Sequence, residues 1–249
     1  MKLEQRALRF QCGGNALIGI VDVPERPLGR GLLMLADSRQ YRTGSHRQFT
    51  LLARLLAGRG IAVMRFDRLG AGDSEGRICE QDGGADIASA MKEFFIHVPE
   101  MKESVILAAG DAAASAAMYA AGDPRVAGLA LFNPELAQAS RPANGATLRA
   151  IGKYAPSLLR RHLPVLRQGF GLRGPALAPA LARAFDAYEG HILLVLAGGE
   201  PLVEHGARLL EGQRARCRRV EIAGADGAFS RSAWREAVAA ASASWLTSW

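Results

Sequence analysis

The chain has 249 residues, 49% of them hydrophobic and 22% charged, which suits one globular domain with a sizeable core and excludes a disordered or fibrous chain. A net charge of +7 comes almost entirely from arginine, but no interleaved aromatics or DNA-reading motif accompany it, so a solvated basic surface is expected and a nucleic-acid partner is not. Three scattered cysteines (Cys12, Cys79, Cys217) argue against a disulfide framework or a zinc site, and MKLEQRALRF holds no apolar leader. The expectation is therefore a cytoplasmic protein with no metal, no cofactor and no membrane span.

In chain order, short apolar runs alternate with segments of helical period. The runs are Leu17–Val23, Gly31–Ala36, Ile61–Phe66, Val105–Ala109, Val126–Phe132, Ile192–Ala197 and Val220–Ala223. The middle ones are apolar almost throughout, as strands covered on both faces must be. The first helix is expected to start at Ser45, with a capping-box spacing to Gln48 and with Phe49, Leu52, Leu55 and Leu56 on one face. Ala85–Phe95 and Ala112–Ala121 follow. The last helix runs from about Arg231 to Trp245, capped by Ser230. The apolar stretch Val105–Ala121 is interrupted by Asp111 and reads as core. This alternation predicts an α/β fold built on a mostly parallel, doubly wound sheet. Residues 134–190 hold six of the eleven prolines and no clear strand, so they read as a helical lid inserted into a single domain spanning 1–249.

In such a sheet a ligand binds beyond the carboxyl ends of the strands. The loop after Ile61–Phe66 contains GDSEG, a literal G-x-S-x-G nucleophile pattern centred on Ser74. That pattern works only on a sharp strand-to-helix turn. Ser74 lies instead in a glycine-rich loop, eight residues past Phe66, and reads as structural. The turn with the required setting follows Val105–Ala109, where Gly110-Asp111-Ala112 leads straight into a helix. Its central residue is Asp111, neither Ser nor Cys. Asp37 and Ser38, after Gly31–Ala36, and Ala112 are placed to line an oxyanion or substrate loop. Glu200 stands where a triad acid belongs, and Gly227 where the histidine belongs.

Four segments carry a resemblance: QYRTGSHRQF (Gln40–Phe49), RFDRLGAGDSEG (Arg65–Gly76), the turn at Asp111 and ADGAFSRSAWRE (Ala225–Glu236). Together they resemble the exosortase A system-associated hydrolase, type 1, within the α/β-hydrolase superfamily. The resemblance implies an α/β-hydrolase fold with a sheet of about eight strands and a helical lid. It also implies acyl, ester or thioester hydrolysis in bacteria, linked to exopolysaccharide and protein-sorting clusters, and it makes the GDSEG loop structural. The implied nucleophile, a Cys followed by Asp, is matched here by Asp111 followed by Ala112, or, one residue earlier, by Gly110 followed by Asp111. The implied loop histidine is matched by Gly227, and the implied acid by Glu200. The resulting expectation is a degenerate triad with weak or no turnover on a small acyl, ester or glycan-related ligand. Two alternatives stand beside it. One is an active hydrolase with Asp111 as nucleophile and His46 or His205 as base. The other is a non-catalytic module that binds a protein partner.

Overall fold

Alternating side chains divide the strands between two apolar layers, and those layers dictate where the helices lie. The computed structural model describes residues 2–37, 40–77, 84–136, 177–198 and 216–249. Among these described residues eight strands form one sheet: β1 (Leu3–Cys12), β2 (Asn15–Pro24), β3 (Arg30–Leu35), β4 (Val63–Phe66), β5 (Glu103–Ala109), β6 (Val126–Phe132), β7 (His191–Ala197) and β8 (Cys217–Ile222). Their spatial order is β1-β2-β4-β3-β5-β6-β7-β8. β1 and β2 join antiparallel, as do β2 and β4, and all the remaining neighbours run parallel.

On one face Leu33, Leu35, Ile106, Ala108, Leu129, Leu131, Leu194 and Leu196 pack under α2 (Ala85–His97), α3 (Ala112–Ala120) and α4 (Leu177–Ala187). The other face presents Leu32, Met34, Val105, Leu107, Ala130, Phe132, Leu193 and Val195 to α1 (Gln48–Ala57) and α5 (Ser232–Leu246). Side chains of neighbouring residues in a strand point to opposite faces, so an unbroken apolar run feeds both layers at once. Helices on both sides give the doubly wound, mostly parallel sheet that the alternation predicts. Among the described residues no helix is long and apolar enough to cross a membrane.

The differences from the sequence reading have local causes. β1 is absent from the apolar runs because it is an edge strand with one face in water, so most of its residues are exposed or half-buried. Ser45 does not cap α1. It opens a short 3-10 turn, Ser45–Arg47, and no side chain caps either helix start. His46 (φ 50) and Arg47 (φ 58) lie in the left-handed region and reverse the chain before Gln48. Ser230 likewise leaves α5 uncapped, because its hydroxyl donates to Asp226 Oδ2 instead. The lid expected over about 134–190 falls largely on 137–176, outside the described residues. At its described end, Leu181 and Phe185 on α4 and Tyr188 just after it are buried in the core.

Candidate functional site

The glycine-rich loop after β4 is held by a buried carboxylate. Asp67 is fully buried and accepts the Arg42 N–H at 2.6 Å, the Arg42 guanidinium and the Asp73 N–H at 3.0 Å. Arg42 also reaches Asp73 Oδ2 at 2.8 Å, which ties the loop after β3 to the loop after β4. Ser74 closes the arrangement: its hydroxyl donates to Asp67 O at 2.7 Å and accepts the Ile18 N–H at 3.0 Å. Both roles of that hydroxyl are spent on backbone. Ser74 is a loop fastener, as its setting in the sequence indicates.

The sharp turn lies at the end of β5. Gly110 has φ +56, and Asp111 is already helical at φ −71, ψ −21 as the N-cap residue of α3. The left-handed backbone of the turn therefore falls on Gly110, one residue before Asp111. This is the sort of conformation that a nucleophile turn imposes and that glycine adopts at least cost. Gly110 N–H donates to Phe132 O at 3.1 Å, and Gly110 O accepts the Glu135 N–H at 2.9 Å, so the turn is stitched to the end of β6. Behind it Ala112, Ala113, Ala116 and Ala117 are almost wholly buried, and their small side chains bring α3 close to the sheet. With Gly110 at the turn, the amide one residue further on belongs to Asp111; with Asp111 there, it would belong to Ala112.

Asp37 comes to the same place from the neighbouring strand. It follows the end of β3, in a turn in which Gln40 N–H donates to Asp37 O at 2.8 Å. A Cβ at position 110 would lie 2.9 Å from Asp37 Oδ2 and 3.8 Å from its Cγ. A carboxylate from β3 thus stands against the space where a side chain on the turn would begin. Ser115, one helical turn beyond, accepts a hydrogen bond from Arg68 at 3.3 Å, and Arg68 is in turn paired with the buried Asp86 at 3.0 Å.

The third part is the loop after β8. Gly227 has an ordinary φ, and a Cβ there would meet no atom within 4 Å. Its carbonyl accepts Asn133 Nδ2 at 3.0 Å, while Asn133 Oδ1 accepts the Ala197 N–H at 2.8 Å. Asn133 follows β6 with φ 43, and asparagine is among the few residues that tolerate that region. One side chain thus fastens the ends of β6, β7 and β8 together. The Phe132–Asn133 pair links Gly110 to Gly227, through the Phe132 carbonyl on one side and the Asn133 amide on the other. Sequence reasoning missed this clamp; an Asn directly after an apolar strand was the available signal. Beside it, Asp226 is held below the usual carboxylate range, chiefly by the Ser230 hydroxyl, which outweighs the opposing effect of burial, and then by the Ser230 and Ala228 amides and the charge of His46. The exposed His46 therefore lies within electrostatic reach of the loop that carries Gly227.

Asp37, Gly110, Asp111, Ala112 and Gly227 accordingly occupy strand ends on one edge of the sheet, the crevice side of an open α/β fold. Ser38, Glu200 and His205 lie outside the described residues. Among the described residues no three His, Cys, Asp or Glu side chains gather as metal ligands would.

Residues 42–208 match the family model described as serine aminopeptidase, S33. Solved structures superpose along nearly the whole chain. An esterase from Pyrococcus furiosus is 14% identical over 98% of this chain and 92% of its own, with a TM-score of 0.72. Dienelactone hydrolase from Anabaena variabilis is 18% identical over 99% of this chain and 98% of its own, at 0.67. Est1E from Butyrivibrio proteoclasticus, solved with ferulic acid bound, is 16% identical over 96% of this chain and 98% of its own, also at 0.67. Comparison with curated proteins gives no significant match. At these identities the likeness is one of fold.

Proposed function

The chain belongs to the serine aminopeptidase, S33, family, and from that premise we propose that it is an α/β-hydrolase-fold protein whose covalent machinery is degenerate. It binds a small acyl- or ester-type ligand at the strand ends and hydrolyses it weakly or not at all. One observation carries the reading: the left-handed turn residue is a glycine, Gly110, so the position that presents a nucleophile on this fold has no side chain. Gly227 adds to it, since the loop position read as the base is also bare. Without nucleophile and base, what remains is binding and oxyanion stabilisation, roughly a thousand-fold over water. The esterase and hydrolase structures that share the fold support the ligand class. The four sequence segments support the finer placement beside exosortase A system-associated hydrolases in a bacterial cytoplasm. On this reading the chain is one domain with a lid over the crevice, and Glu200 supplies the remaining triad acid.

The test is a rescue. Gly110→Cys combined with Gly227→His is assayed on p-nitrophenyl acetate and on a short thioester. The expected result is a burst of one acyl group per protein, followed by turnover well above that of the wild-type chain and of either single variant. A burst in the wild-type chain would overturn the reading. So would wild-type turnover lost in Asp111→Ala, which would make Asp111 the nucleophile.

A further inference from the structure

Asp37 is the carboxylate that reaches the turn from the neighbouring strand. A carboxylate beside the start of a helix needs no special cause, but this one stands against one particular point of the turn. Its Oδ2 is 2.9 Å from the point where the Cβ of residue 110 would stand, nearer than side chains normally approach a Cβ. A side chain at residue 110 would have to turn the end of Asp37 aside. Asp111 is the other carboxylate at the turn, but its backbone is already helical. Asp37 comes to that point from another strand, whereas Asp111 is the turn's own next residue.

We propose that Asp37 is a catalytic general base that activates water directly over Gly110, so that the site performs slow ester hydrolysis by direct attack of water, without an acyl-enzyme. This rests on the reading that the site takes esters and lacks a covalent nucleophile. As the water oxygen bonds to the acyl carbon, its proton passes to Asp37 Oδ2 and the carbonyl π pair moves onto the carbonyl oxygen. The tetrahedral intermediate then re-forms the carbonyl and breaks the bond to the leaving alkoxide, which takes the proton back from Asp37. Ester and water go to acid and alcohol, and Asp37 ends as the carboxylate it began.

The experiment uses p-nitrophenyl acetate with the full-length chain. The wild type is expected to hydrolyse it slowly but above the buffer rate, with no burst, no acyl adduct by intact mass and a normal solvent deuterium isotope effect. Asp37→Asn keeps the shape and removes the base, so it should lose about a hundred-fold of the enzymic rate with an unchanged melting temperature. Asp37→Ser provides the same test should the amide variant fail to fold. An unchanged rate in either folded variant, without a burst, would overturn the role of Asp37 alone. Wild-type hydrolysis at the buffer rate would also overturn it, leaving the rescue of Gly110 and Gly227 to judge the site. A wild-type burst would overturn both.

Discussion

Ser74 shows how one hydroxyl can satisfy a nucleophile pattern and still be fully employed elsewhere. It bridges Ile18 N–H and Asp67 O, between two segments far apart in the chain. Ser74→Ala removes both bonds in a half-buried place and is expected to cost about 1–3 kcal/mol in urea unfolding, while any ester hydrolysis by the folded protein stays at the wild-type level. Gly72 sits at the same junction with φ +56, and a Cβ there would lie 2.3 Å from Asp67 Cγ. Gly72→Ala should therefore destabilise more, by about 2–4 kcal/mol, since backbone strain adds to displacement of a buried carboxylate. Ser74's role could be read from its distance past β4. Gly110's could not: in an alanine-rich run such as AAGDAAAS, composition does not say on which residue the left-handed turn falls, and a shift of one changes the side chain presented. The approach of Asp37 was equally hidden, because it depends on the path of a loop.

The elements differ in how plainly they are written. β5, β6 and β7 announce themselves because both of their faces are covered. β1 does not, and neither do the starts of α1 and α5, where a plausible cap is spent elsewhere or unused. The connection from α3 to β6 is fixed by a small polar cluster instead. The Asp123 carboxylate is raised by burial, but hydrogen bonds from Arg125 and Tyr119 outweigh this and bring it down to about 2, and Tyr119 is pushed up to about 12, chiefly by burial and then by Asp123. The folded pKa of Asp123 is below its ordinary 3.8, so the unfolded chain takes up a proton first. The stabilisation is thus complete above 3.8 and is lost as pH falls toward about 2. Asp123→Asn should be about 1–2 kcal/mol less stable than wild type at neutral pH, with the difference shrinking in urea titrations run toward pH 2.

Across the whole molecule, the junction between the antiparallel edge and the parallel sheet contains a buried ion pair. Asp22 on β2 faces Arg65 on β4 at 3.4 Å, with Gln5 donating to Asp22 at 2.6 Å and Arg65 reaching Thr50 at 3.3 Å. Burial lowers the guanidinium's pKa despite Asp22, which marks how strongly this place disfavours charge. Asp22→Asn would strand that charge and is expected to cost about 3–5 kcal/mol, whereas replacing both partners by leucine and methionine should come close to neutral. Chemical denaturation of the single and double variants checks both. The order of strands and helices, and hence the sheet edge that carries the candidate site, was legible from apolar runs alone; the arrangement at that edge was not, because it depends on two glycines and on which neighbours stand beside them. Those two glycines also differ in reversibility. At Gly227 nothing stands within 4 Å and φ is ordinary, so a side chain can be gained or lost there with little effect on folding. In the course of descent, that loop position is free to change without passing through an unstable intermediate. Gly110 is held differently: with φ +56 and Asp37 Oδ2 2.9 Å from a Cβ, any side chain there must take a left-handed backbone and turn the end of Asp37 aside.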